Sequence, residues 1–327
     1  MSSVMTALTD DTTSMPTSRV ASGVGLALLS AVSFGLSGPF AKSLIETGWS
    51  AGSAVLVRVL VAAGVLLVPA LVALRGRWSV VRRHGLTICA FGLVAVAGCQ
   101  LAYFQAVARM EVGPALLIEF MSPVAVIAWL WLRHGQRPGR LTVVGALVAI
   151  AGLVLVIDLL SGAAVDVVGV LWALGAMTGA AVYWIVSAGD DGDLPGVVLA
   201  AGGLLVGGVT LLAAGLVGVL RLDASASDVV LADTALPWWF AVGALGVVTA
   251  ALSYVLGIAA VRRLGSRLAS FVGLSEALLG VLLAWLLLGE QPRAVQAAGG
   301  ALVLLGVVLV RLGEPRAEAP ASPTPVD

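Results

Sequence analysis

Apolar and polar positions alternate along this chain as long apolar runs separated by short polar turns. A bilayer core of about 30 Å needs about 20 apolar residues per helix, and runs of that order occur ten times. They are Val20–Ile45, Ser50–Leu74, Gly85–Ala108, Val112–Leu132, Leu141–Leu160, Val167–Ala188, Gly196–Leu220, Trp238–Val261, Leu268–Leu288 and Val295–Leu312. The first run exceeds a signal-peptide core of about 7–15 residues, so it is read as a retained helix. Residues 1–19 are rich in Ser and Thr, and 313–327 in Pro, Ala and Glu; both are expected to be disordered cytoplasmic tails. The expected fold class is an all-α membrane protein with ten transmembrane helices.

An internal echo divides those helices. Ser122 to Val156 repeats without a gap 154 positions later: Trp131 falls on Trp285, Gly135 on Gly289, Pro138 on Pro292, Gly145 on Gly299 and Gly152 on Gly306. Each copy is an apolar helix, a polar turn with Gly and Pro, and a second apolar helix. The chain therefore divides into repeats at 20–160 and 161–312. Five helices per repeat is an odd number, so the second repeat is expected to be inverted relative to the first, the usual build of a secondary transporter working by alternating access.

Arginine and lysine set the orientation. With the N-terminus in the cytoplasm, thirteen of them fall inside, among them Arg75, Arg77, Arg82, Arg83, Arg133, Arg137 and Arg140, and only Arg109, Arg221 and Arg293 fall outside. Both termini are therefore expected in the cytoplasm, with the protein multi-pass in the inner (plasma) membrane. The acidic loop from Ser187 to Pro195 runs against the trend, but acids count for little in this rule.

Composition narrows the function. Hydrophobic residues make up 60% of the chain and charged residues 11%, against about 45–50% and about 25% in a soluble domain. Net charge is zero, so no nucleic-acid partner is implied. The bilayer and a small-molecule substrate remain as partners. Gly35 to Ser43 lacks the glycines of a phosphate-binding loop, and there is no HExxH motif or paired Cys. No metal, cofactor or enzymatic activity is expected. Cys89 and Cys99 read as small core residues.

Four charges stay within the spans: Lys42, Arg58, Glu119 and Glu276. A charge in hydrocarbon costs several kcal/mol and marks a functional site by default. At 1.5 Å rise per residue, Lys42 lies about 5 Å below the outer surface, Arg58 and Glu119 about 10–12 Å, and Glu276 about 18 Å. Gln100 and Tyr103 fall in the same outer half. Cations, a carboxylate and polar groups in one layer would complement a zwitterion, so Arg58, Glu119, Gln100, Tyr103, Ser122 and Lys42 are the candidate substrate ligands. The plainer readings are an Arg58–Glu119 pair that locks two helices, and a Lys42 that snorkels to the headgroups. Glu276 has no obvious cation at its depth and is the candidate for taking up and releasing a proton, with a neutral, hydrogen-bonded structural role an equal reading. Pro123 removes a backbone hydrogen bond in mid-helix, so it joins Glu276 as a coupling or gating candidate. Trp172, Tyr183, Trp184 and Tyr254 are further candidates for a cavity lining, with packing an equal reading.

Ala284-Trp-Leu-Leu-Leu-Gly-Glu290 followed by Pro292, with the two-fold five-helix layout, resembles the EamA-type branch of the drug/metabolite transporter superfamily. Phe40-Ala-Lys-Ser-Leu44, Ser53-Ala-Val-Leu-Val-Arg58 and Ile118-Glu-Phe-Met-Ser-Pro-Val-Ala125 are similar to the threonine and homoserine exporters of that family. Ala277 stands where those proteins usually have Pro, and Gln136 where an acid is common. The likeness implies proton-linked efflux of small amino acids. Uptake, export of a drug-like amphiphile, or a non-transporting membrane scaffold remain the alternatives.

Overall fold

The computed structural model describes residues 17–135, 137–157, 166–187, 194–257, 259–260, 263–264, 272 and 274–313. These form a bundle of apolar helices: α1 (Ala21–Glu46), α2 (Ala51–Leu74), α3 (Gly85–Val107), α4 (Val112–Arg133), α5 (Arg140–Val156), α6 (Val167–Val182), α7 (Gly196–Leu216), α8 (Trp238–Gly257), α9 (Ser275–Leu288) and α10 (Ala294–Gly313). Seven of them are long and apolar enough to cross a membrane; α5, α6 and α9 are shorter. Ten full-length spans are therefore not what the described residues show. The first part of the ninth run, the end of the fifth, both tails and most of the acidic loop lie outside the described residues.

The helices are not uniform rods. α4 consists of two pieces, Val112–Glu119 and Ser122–His134, separated by a turn at Phe120–Met121. Pro123 therefore sits in the first turn of the second piece and not in mid-helix as expected, because a first-turn N–H lacks a helical partner in any case. α9 matches that second piece in the other repeat. Both end on glycines in the left-handed conformation, Gly135 at φ 66° and Gly289 at φ 72°, where a side chain would be strained. α3 and α8 match in a second way: each widens into a π-helical stretch, Phe91–Gly98 and Ala244–Leu252.

The tightest helix pair is α5 with α10. A Cβ added at Gly145 would stand 2.7 Å from the Gly306 carbonyl oxygen, and one at Gly152 would stand 2.6 Å from that of Gly299. Because Gly145 meets Gly306 while Gly152 meets Gly299, the two helices run antiparallel. Without a hydrophobic drive between helices in lipid, such close backbone approach is what holds a pair together.

One end of the bundle is roofed by the chain between α7 and α8. Here β1 (Val229–Leu231) and β2 (Thr234–Leu236) form an antiparallel hairpin, the one departure from an all-helical structure among the described residues. Its two-residue turn has Ala232 and Asp233 at φ 48° and 57°, the positive values that suit strand twist. The Ala232 N–H donates to Leu287 O at 2.8 Å, taking up one of the free carbonyls at the end of α9. Trp49 Nε1 donates to Ser225 O at 2.8 Å and ties the same loop to the α1–α2 turn.

Candidate functional site

The interior gathers its polar groups around Arg58. On α2 this side chain is 2% exposed and is the first among the largest fully buried side chains. Its guanidinium carbon lies 5.2 Å from the ring centre of Phe34 on α1 and 5.6 Å from that of Phe104 on α3. Such cation–aromatic contacts gain about 2 kcal/mol or more when desolvated. Nη2 donates to Thr249 O at 3.2 Å, a carbonyl in the wide stretch of α8 that also accepts from Ser253 Oγ at 3.0 Å. Nε has no hydrogen-bond partner. The cation is thus held by rings and a carbonyl, with the Nε donor unused.

Two carboxylates stand around it. Glu119, at the end of the first piece of α4, and Glu276, in the first turn of α9, both lie close enough to interact with the charge of Arg58, as do Tyr103 and Tyr254. Among the described residues no ion pair within 4.0 Å joins Arg58 to Glu119. The direct pair that their similar depth suggested is replaced by the contacts to Phe34, Phe104 and Thr249. The absence of a cation near Glu276 is also corrected, because Arg58 serves both acids. Glu119 is the last residue of the first piece of α4, and Glu276 lies in the first turn of α9. A carboxylate in a first turn also gains from the helix dipole.

Gln100, 8% exposed, leaves Oε1 without a partner, and Ser37 Oγ on α1 is likewise buried and unpartnered. Buried polar atoms are nearly always hydrogen-bonded, so these two, with Arg58 Nε, stand out as unsatisfied. Tyr103 is buried on α3, its hydroxyl in the space that the absent side chain of Gly38 leaves. Ser122 is buried at the start of the second piece of α4. Lys42 is engaged elsewhere: it pairs with Glu290 and donates to Met110 O at 3.1 Å. The side chains of Tyr183 and Trp184 lie outside the described residues, while Trp172 lines a groove beside Cys99.

Sequence reasoning passed over Phe34, Phe104, Thr249 and Cys99. The Cys99 thiol approaches Glu119 Oε1 at 3.6 Å and donates to Ala176 O at 3.3 Å, so it touches the site it was assigned only to pack beside. A signal was present. Cys99-Gln100 and Ser253-Tyr254 stand 154 positions apart, so the offset of the echo, carried back into α3 and α8, marks both polar pairs.

Similarity to known proteins bears on the fold and the family. A curated Salmonella typhimurium (strain LT2) protein, named as an uncharacterized inner membrane transporter YicL, is 23% identical over 297 residues, covering 88% of this chain and 95% of its own length. A solved crystal structure 21% identical in sequence shares the fold with a TM-score of 0.55, over 90% of this chain and 98% of the other. Residues 21–158 and 167–312 each match the EamA-like transporter family. With both halves of its helical bundle accounted for by that one match, the chain belongs to the EamA-like transporter family.

Proposed function

We propose that the protein exports small amino acids of the threonine or homoserine kind, or related polar metabolites, across the inner membrane by alternating access. The observation that carries this is the buried Arg58 with a free Nε, flanked by Glu119 and Glu276. A fixed cation beside carboxylates complements a molecule that bears both a carboxylate and an ammonium. One cation balances one of the two acids, so the empty site has a place for one further positive charge. Substrate ammonium and proton compete for it, and that competition is a means of coupling export to a proton gradient. The antiparallel α5–α10 pair supports inverted repeats, the arginine distribution supports cytoplasmic termini, and the name of the Salmonella relative supports the inner membrane.

A tolerance screen tests this reading. Cells that overproduce the protein are exposed to toxic amino acids and their analogues, and tolerance to hydroxylated or other small polar members is expected, lost on Arg58→Met. Tolerance confined to amphiphilic dyes would exclude the amino-acid reading.

A further inference from the structure

Lys42 and Glu290 close one end of the bundle by a joint that the transport site does not use. Lys42 lies near the end of α1 in the first repeat, and Glu290 follows α9 in the second. Their charged atoms form an ion pair, with the side chains 17% and 11% exposed. Each partner has a second tie. Lys42 Nζ donates to Met110 O at 3.1 Å, and Glu290 Oε2 accepts from the Val112 N–H at 2.7 Å. Four points of the chain therefore meet: the end of α1, both sides of the α3–α4 turn, and the turn after α9. The docking of Ala232 on Leu287 covers the same turn. Below it lies Tyr103, close enough to interact with the charges of both Glu290 and Glu119. The joint thus sits over the Arg58 hub with one aromatic residue between.

We propose that the Lys42–Glu290 pair is a latch that must break each time this end opens to the hub, and that it is not duplicated by its equivalent in the other repeat. The echo supplies the second half of this statement, since the position equivalent to Glu290 is the uncharged Gln136. Removing one member of a half-buried pair leaves the other charge uncompensated in the closed form, so single substitutions shift the balance toward the open one. Reversing the two charges does not restore the latch: Glu290 accepts from a backbone N–H and Lys42 donates to a carbonyl, and exchanged residues would meet the wrong groups. Lys42→Arg keeps the donors and keeps the latch.

The latch rests on reading the Arg58 hub as the transport site, but its test uses no substrate and so fails or succeeds apart from that reading. Cys99 touches Glu119 and reports access to the hub; the exposed Cys89 is removed by Cys89→Ser. In sealed membranes of each orientation, labelling of Cys99 by a charged, membrane-impermeant thiol reagent is timed from either side. Lys42→Ala and Glu290→Gln are expected to speed labelling from the latch side about tenfold, the change that about 1.4 kcal/mol brings. Labelling from the opposite side stays as in the parent, and Lys42→Arg stays slow from both. No acceleration from the latch side in either variant, or an equal rise from both sides, overturns the proposal.

Discussion

Gly145 in α5 and Gly306 in α10 meet backbone to backbone, with 2.7 Å between the Gly306 oxygen and the place where a Gly145 side chain would begin. The partner atoms are main chain, so nothing flexible can move aside. Gly145→Ala is expected to destabilise the protein by about 1–3 kcal/mol, as overpacking does. Gly64→Ala has open space around it and is expected to be neutral or stabilising, by up to about 1 kcal/mol, from helix propensity. Denaturation of the purified protein in micelles measures both; equal stability of the two variants would contradict the seam.

Glu119 and Glu276 share one cation, and their roles should separate in transport. Glu119→Gln is expected to abolish substrate binding, and Glu276→Gln to leave binding but weaken pH-driven flux. Proteoliposomes with and without an imposed pH gradient give the answer. Full gradient-driven export by Glu276→Gln protein removes Glu276 from the proton path.

The hold on Arg58 is set by ring faces and a main-chain carbonyl. Phe104→Leu is expected to weaken substrate binding about 30-fold or more, the equivalent of about 2 kcal/mol or more for a desolvated cation–aromatic contact. Thr249→Val should bind within about twofold of the parent, because Arg58 uses the Thr249 carbonyl and the hydroxyl donates only to Leu245 O within the helix. Equilibrium binding of the amino acid found in the tolerance screen checks both. A large loss in Thr249→Val with normal Phe104→Leu would reverse the assignment.

Orientation can be read with fusions. A cytoplasmic reporter at the C-terminus should be active, and so should an exported reporter placed in the roof loop, near Asp228. Activity of the exported reporter at the C-terminus would invert the topology.

Much of the fold was legible because lipid imposes long apolar runs and the chain states its plan twice. The echo pairs the glycines that the structure places in the α5–α10 seam and at the two left-handed caps, without itself saying what they do. The breaks within helices were harder to see. Pro123 marks a helix start as readily as a kink, and its position fits both until the turn at Phe120–Met121 is known. Residue depth put Arg58, Glu119, Gln100 and Tyr103 in one layer, and in the structure Glu119 and Tyr103 do stand near Arg58. However, it ignores azimuth, so it could not tell Lys42, which turns toward Glu290, from Arg58, which turns inward. Phe34 and Phe104 were hidden for a different reason: an aromatic residue in an apolar run looks like core until a cation is found against its face.

The wide stretches Phe91–Gly98 and Ala244–Leu252 lie about 154 positions apart, the same offset as the echo. A π-helical turn holds more residues than the α-turn it replaces, which makes it the trace of an insertion in an older helix. Two separate insertions at matching places require a coincidence; inheritance from one duplicated half requires none. The wide turns therefore belong to the common ancestor of the two halves. Arg58, Glu119 and Glu276 do not match across the halves, so they record the later history in which each copy took its own share of the chemistry.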